Sequence, residues 1–146
     1  MKLTTTIKRI QGTLSPDLLR PRYRNCTGLE GHCYVAAEAL WHLTDRRLDV
    51  YFARYRDRHR WHTHWWLQDG EQIWDPTAGQ FPRGFNYRLG RRGGFLTRNP
   101  SIRAREVIRR VRVASQPKGT MRHYRRKRTC MHVATIGCQN CYVGDR

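Results

Sequence analysis

Cys33, His64 and Asp75 are residues of this chain whose types and spacing allow covalent chemistry: a thiol, an imidazole, and a carboxylate just ahead of a proline. A cysteine attacks as its thiolate, an anion that the amide dipoles of a helix N-terminus and a neighbouring imidazolium both favour. The histidine then carries the proton, and a carboxylate on its other ring nitrogen selects the tautomer. Taken singly, each has an ordinary structural role: a small buried helix residue, a polar strand residue, a turn former. Their conjunction is what points to catalysis.

Two further groups carry chemistry. Cys130, His132, Cys138 and Cys141 follow the pattern C-x-H-x5-C-x2-C, in which thiolates and an imidazole can close a tetrahedral site around one structural zinc. The same residues also fit a disordered tail with incidental thiols, and Cys138 with Cys141 fits a redox pair. Arg103, Arg105, Arg109, Arg110 and Arg112 lie at helical spacing, and Arg122, Arg125, Arg126, Lys127 and Arg128 follow. Such clusters neutralise phosphates and release counterions, so they predict salt-sensitive affinity for nucleic acid or another polyanion. Tyr124 offers a ring for stacking on bases.

The elements must position the first group. Ser15, Pro16 and Asp17 supply an N-cap, a proline at N1 and an acid in the first turn of a short helix that Pro21 limits. Residues 25–32 are glycine-bracketed and read as a loop. From Cys33 to about Thr44, Ala36, Ala37, Leu40 and Leu43 recur three and four residues apart, so Cys33 opens an amphipathic helix. Residues 49–55 read as a strand, 56–60 as a charged turn, and 61–67 and 71–75 as strands joined across Asp69-Gly70. With Asp69-Gly70 as the turn, Gln68 pairs with Glu71 and His64 with Asp75, which puts both on one face. His62 falls on that side too, facing Thr77, but without a carboxylate opposite; His32 shapes the loop before the thiol. Pro76 ends the strand, and residues 81–97 read as an irregular, glycine-rich and aromatic stretch. Asn99-Pro100 caps a last helix whose apolar positions are Ile102, Ala104, Val107, Ile108 and Val111, with its arginines largely outside.

The chain of 146 residues and 17.4 kDa suits one domain, residues 1–115, followed by a basic Cys/His-containing tail, 116–146. Lys and Arg number 29 against 11 Asp and Glu, a formal charge of +18 that excludes an average soluble surface. Residues 1–100 hold a net +8 and residues 101–146 a net +10. A hydrophobic fraction of 38% excludes disorder throughout. The N-terminus has no apolar run of signal-peptide length and nowhere do ~18 apolar residues follow one another, so the expectation is a cytoplasmic protein without membrane contact. Five cysteines, an odd number, point to reduced thiols rather than a disulfide framework.

Three blocks, Gly31-His32-Cys33-Tyr34-Val35-Ala36-Ala37-Glu38-Ala39-Leu40, Thr63-His64-Trp65-Trp66-Leu67 and Asp75-Pro76-Thr77-Ala78-Gly79-Gln80-Phe81, stand in a Cys…His…Asp order. In that order the chain resembles papain-like and transglutaminase-like cysteine enzymes over about residues 25–115, most nearly the small papain-fold toxin, effector and phage-type branch. The resemblance implies an α+β fold in which the helix that begins at the cysteine packs on an antiparallel sheet. It implies Cys33 as nucleophile, His64 as general base and Asp75 as orienting partner, with no cofactor for catalysis. For the oxyanion, Asn25 is the nearest upstream amide and the Cys33 N–H a second donor. The expected activity is acyl transfer on a protein or peptide amide, of peptidase, glutamine deamidase or transamidase type; if phage-encoded, the enzyme would work in a host cytoplasm. The competing expectation is a non-catalytic, basic nucleic-acid-binding protein with a zinc-stabilised tail.

Overall fold

A computed structural model describes residues 2–26, 28–57 and 60–116. Its architecture is α+β: three helices and one four-stranded antiparallel sheet. The helices are α1 (Leu3–Gln11), α2 (Cys33–Leu43) and α3 (Ile102–Ser115); the strands are β1 (Asp49–Asp57), β2 (Arg60–Asp69), β3 (Gln72–Trp74) and β4 (Arg91–Gly93), in the order β3-β2-β1-β4. Short 3-10 turns at Pro16–Leu18, Pro21–Tyr23, Ala78–Gln80 and Tyr87–Leu89 link them.

The core lies between the helices and the sheet, with α2 laid on β2 and with α1 and α3 packed against α2 and each other. Val35, Ala36, Ala39 and Leu40 of α2 pack with Ile10 of α1, with Ala104, Val107, Ile108 and Val111 of α3, and with Val50 and Leu67 from the sheet. Burying each of the larger aliphatic side chains contributes about 1.5–3 kcal/mol. Glu38, fully buried in α2, ties α3 down: its carboxylate accepts from the Ser101 N–H (2.9 Å) and hydroxyl (2.6 Å). Ser101 Oγ in turn accepts from the Ala104 N–H, so Ser101 caps α3 in place of the expected Asn99-Pro100. The helix therefore begins two residues later than a cap at Asn99 would start it, and Ile102, expected in the core, is left 77% exposed.

The β2–β3 hairpin also departs from expectation. Asp69 pairs with Gln72, Gln68 with Ile73 and Leu67 with Trp74, leaving Gly70 and Glu71 as the turn. Gly70 takes φ +56° while Glu71 stays outside the left-handed region, which is the glycine-first form of a two-residue hairpin turn. Each β2 residue thus faces a β3 residue two places further along than expected. An even shift keeps every side chain on its predicted face.

β3 covers only the last three residues of β2. Upstream of Leu67, β2 has β1 on one side and, among the described residues, no strand on the other. The thiol of Cys33 meets β2 in this uncovered stretch.

Candidate active site

His64 and Asp75 are in direct contact. His64 Nε2 lies 2.7 Å from Asp75 Oδ2, with the two side chains 1% and 2% exposed. Continuing the hairpin register by one residue sets Asp75 beside Trp66, so His64 is its diagonal neighbour on the same face and reaches it as a long side chain can. Asp75 is held from four directions: Oδ2 also accepts from the Tyr87 hydroxyl (2.8 Å), and Oδ1 accepts from the Thr77 N–H (2.8 Å) and hydroxyl (3.0 Å). Pro76 ends the strand and turns Thr77 back onto the carboxylate, the Asx-type turn that aspartate favours. Burial, and then the Asp75 charge, push the Tyr87 phenol up, so it stays a donor.

The tautomer follows from the partners. A carboxylate only accepts, so Nε2 carries the proton. On the other side, Gln80 Nε2 is 3.3 Å from His64 Nδ1 and donates to the Thr77 carbonyl at 3.1 Å. An amide NH2 only donates, which leaves Nδ1 as the basic nitrogen. Around this ring Phe81 and Phe85 present their edges, each with a centroid separation of 4.7 Å, and Trp66 stacks at 5.8 Å. Behind these rings the imidazole is 1% exposed.

Cys33 is the first residue of α2, with His32 before it as N-cap. Its thiol donates to the Thr63 carbonyl at 3.5 Å, so the sulfur rests against the backbone next to His64. Burial pushes this thiol up to about 11, and the Asp75 charge adds to the rise, while the N–H groups of Trp65, Tyr34 and Cys33 oppose it. The sequence led to the opposite direction, a lowered thiol, because it showed the helix terminus and not the depth at which the terminus would lie. Cys26, half-buried, is raised as well, by burial and by Glu30 beside it.

The remaining candidates sort as follows. His32 is buried, with its ring nitrogens on the carbonyls of Glu30 (3.2 Å) and Ser15 (3.0 Å), the loop-shaping role expected of it. His62 stacks on Tyr55 across β1 and β2, not against Thr77, since β3 ends at Trp74. Asn25 is exposed, and the amide beside the imidazole is that of Gln80. On α3, Arg105 and Arg112 are exposed. Arg109 and Arg110 share Glu106, Arg110 also reaches Asp17 at 2.6 Å, and Arg103 donates to the Leu18 carbonyl. Cys130, His132, Cys138, Cys141, Arg122, Arg125, Arg126, Lys127 and Arg128 lie outside the described residues. No group of three or more Cys, His, Asp or Glu among the described residues is arranged to hold a metal, and none of their helices is long and apolar enough to cross a membrane.

Thr77, Gln80 and Tyr87 belong to the site although their side chains suggested no role in sequence. Thr77 had a readable signal, the Asp-Pro-Thr spacing of an Asx-type turn. Tyr87 had none, because an irregular stretch of twelve residues brings it back to Asp75. Compared with protein-family models, with curated proteins and with solved structures, the chain matches none.

Proposed function

We propose that this chain is a cysteine-dependent acyl-transfer enzyme acting on an amide, built on a papain-like or transglutaminase-like core. One observation supports this reading most strongly: a buried, fully hydrogen-bonded Asp75–His64 pair on the strand whose backbone receives the Cys33 thiol. Gln80 swings off Nδ1, and the thiol proton passes to that nitrogen as sulfur attacks the carbonyl carbon. Asp75 stabilises the imidazolium through Nε2. The N–H at the start of α2 is a donor for the oxyanion. Nδ1 returns its proton to the departing amine, leaving a thioester. Water or an amine then attacks, Nδ1 takes its proton, and the thiol is restored.

The test is alkylation by iodoacetamide at neutral pH, with the modified residue located by peptide mapping. Cys33 is expected to react faster than Cys26 despite its deeper burial, because its thiol lies against the strand that carries the His64 imidazole. Equal, slow alkylation of both thiols overturns the reading.

A further inference from the structure

Cys33 and Gln80 line a pocket of about 1090 Å³ whose walls carry six arginines: Arg20, Arg22, Arg56, Arg60, Arg83 and Arg103. Among the described residues only two acids, Glu30 and Asp57, line it with them, an excess of four positive charges. The arginine ion pairs of the described residues all lie outside it: Asp17 and Glu106 take Arg109 and Arg110, Asp49 takes Arg92, and Asp45 takes Arg47. Among the described residues none of the six pocket arginines has an ion-pair partner. Five are exposed, and only Arg103 is drawn inward, onto the Leu18 carbonyl. Between them stand Tyr55, Trp65, Phe81 and Phe85, apolar area against which peptide side chains can pack.

An arginine presents a planar fork that matches a carboxylate in two parallel hydrogen bonds. Unpaired forks around a partly apolar pocket are a recognition surface for anions held close to the sulfur. A volume of this order suits a few residues rather than a nucleic-acid duplex. We infer that the Cys33 pocket takes acidic peptide segments, in which Asp or Glu residues flank the amide that is attacked. This rests on the acyl-transfer reading and adds its substrate class.

Two measurements separate the inference from that reading. The first compares peptide vinyl sulfones that are identical except for Glu or Gln at the flanking positions, with iodoacetamide as a small neutral reference. The Glu probe is expected to label Cys33 about tenfold faster at ~50 mM salt, as electrostatic steering into a charged cleft provides, and to lose most of that advantage at ~500 mM. The triple variant Arg56→Gln, Arg60→Gln, Arg83→Gln should bring the two probes together. Removing the same charge away from the pocket, with Arg98→Gln, Arg105→Gln and Arg112→Gln, should not. Equal rates for both probes while iodoacetamide still labels Cys33 overturn the substrate class and leave the enzyme. Failure of all three reagents overturns the enzyme itself.

The second measurement needs no reactive thiol: binding of a fluorescent Glu-rich peptide, its Gln counterpart and a single-stranded oligonucleotide to the full chain carrying Cys33→Ala. Weaker binding of the Glu peptide in the pocket triple, and not in the control triple, supports the inference. An oligonucleotide that alone shows this dependence assigns the arginines to nucleic acid instead.

Discussion

At Cys33 two effects pull on one proton. Three backbone N–H groups favour the thiolate, burial opposes it, and burial wins, leaving the thiol at about 11. Four pH units below that value roughly one thiol in 10⁴ is ionised, so on the acyl-transfer reading the nucleophile rests neutral and takes a base at the moment of attack. If only pre-formed thiolate reacted, alkylation of Cys33 would rise about tenfold per pH unit to about 11. With His64 accepting the proton, the neutral-pH rate should stand above that line, and His64→Gln should lower it to the line, a loss of about 10²–10⁴. Stopped-time alkylation followed by mass spectrometry across pH 6–10 reads both slopes, and a His64→Gln rate that coincides with the parent rejects the base assignment. On the same reading Gln80 guards the base, since its amide occupies the nitrogen that the thiol proton would reach. Displacing one such hydrogen bond costs about 0.5–1.5 kcal/mol. Gln80→Ala should therefore speed alkylation of Cys33 by roughly 2–10-fold; an unchanged rate would show that the amide does not guard the base.

At the scale of elements, two joints can be tested by single changes. Gly90 follows the 3-10 turn at Tyr87–Leu89, and a Cβ there would run into the indole of Trp66, the fully buried neighbour of His64. Gly90→Ala should cost about 1–3 kcal/mol in denaturant unfolding, and a neutral outcome would mean that the indole gives way. Arg110 joins α3 to Asp17 and is set in place by Glu106 on the same helix, whose carboxylate the Arg109 and Arg110 guanidiniums pull down to about 2 from its ordinary 4.5. A carboxyl whose folded pKa is depressed contributes stability above its unfolded value and loses it as pH falls through the folded one. Glu106→Gln should thus melt below the parent at pH 6, and the gap should close between about 4.5 and 2; a gap independent of pH contradicts the ion pairing. What could be read from the sequence follows from the same physics. The bounds of α2 were legible because Ala36, Leu40 and Leu43 repeat at helical spacing. The shared face of His64 and Asp75 was legible because an even register shift preserves faces, although the turn itself lies one residue further on. α1 was not: Leu3, Ile7 and Ile10 carry its spacing, yet three successive threonines are poor helix formers and Lys2 supplies no cap. β4, Arg91-Arg92-Gly93, was hidden altogether, since its only strand partner, β1, lies some forty residues away and its own residues are all exposed.

For the whole molecule the governing quantity is the charge of +18. Only Asp17, Asp45, Asp49 and Glu106 take arginine partners among the described residues, so the balance is repulsion among the many arginines left over. Screening shortens the range of that repulsion from about 30 Å at 0.01 M salt to about 8 Å at 0.15 M. The melting temperature should accordingly rise with salt over this range, against the loss expected where surface ion pairs dominate; calorimetry that shows a fall would mean the pairs outweigh the repulsion. The placement of the site along the chain has a further consequence, for the way the protein is made. Cys33 leaves the ribosome first, and the 42 residues to Asp75 follow over about 2–8 s. Throughout that interval the thiol is an ordinary cysteine without a base. Asp75 follows His64 by only eleven residues across one hairpin, so imidazole and carboxylate meet by closing a short loop. On the acyl-transfer reading, a chain still in synthesis therefore carries the thiol without its base into the compartment of its own translation machinery.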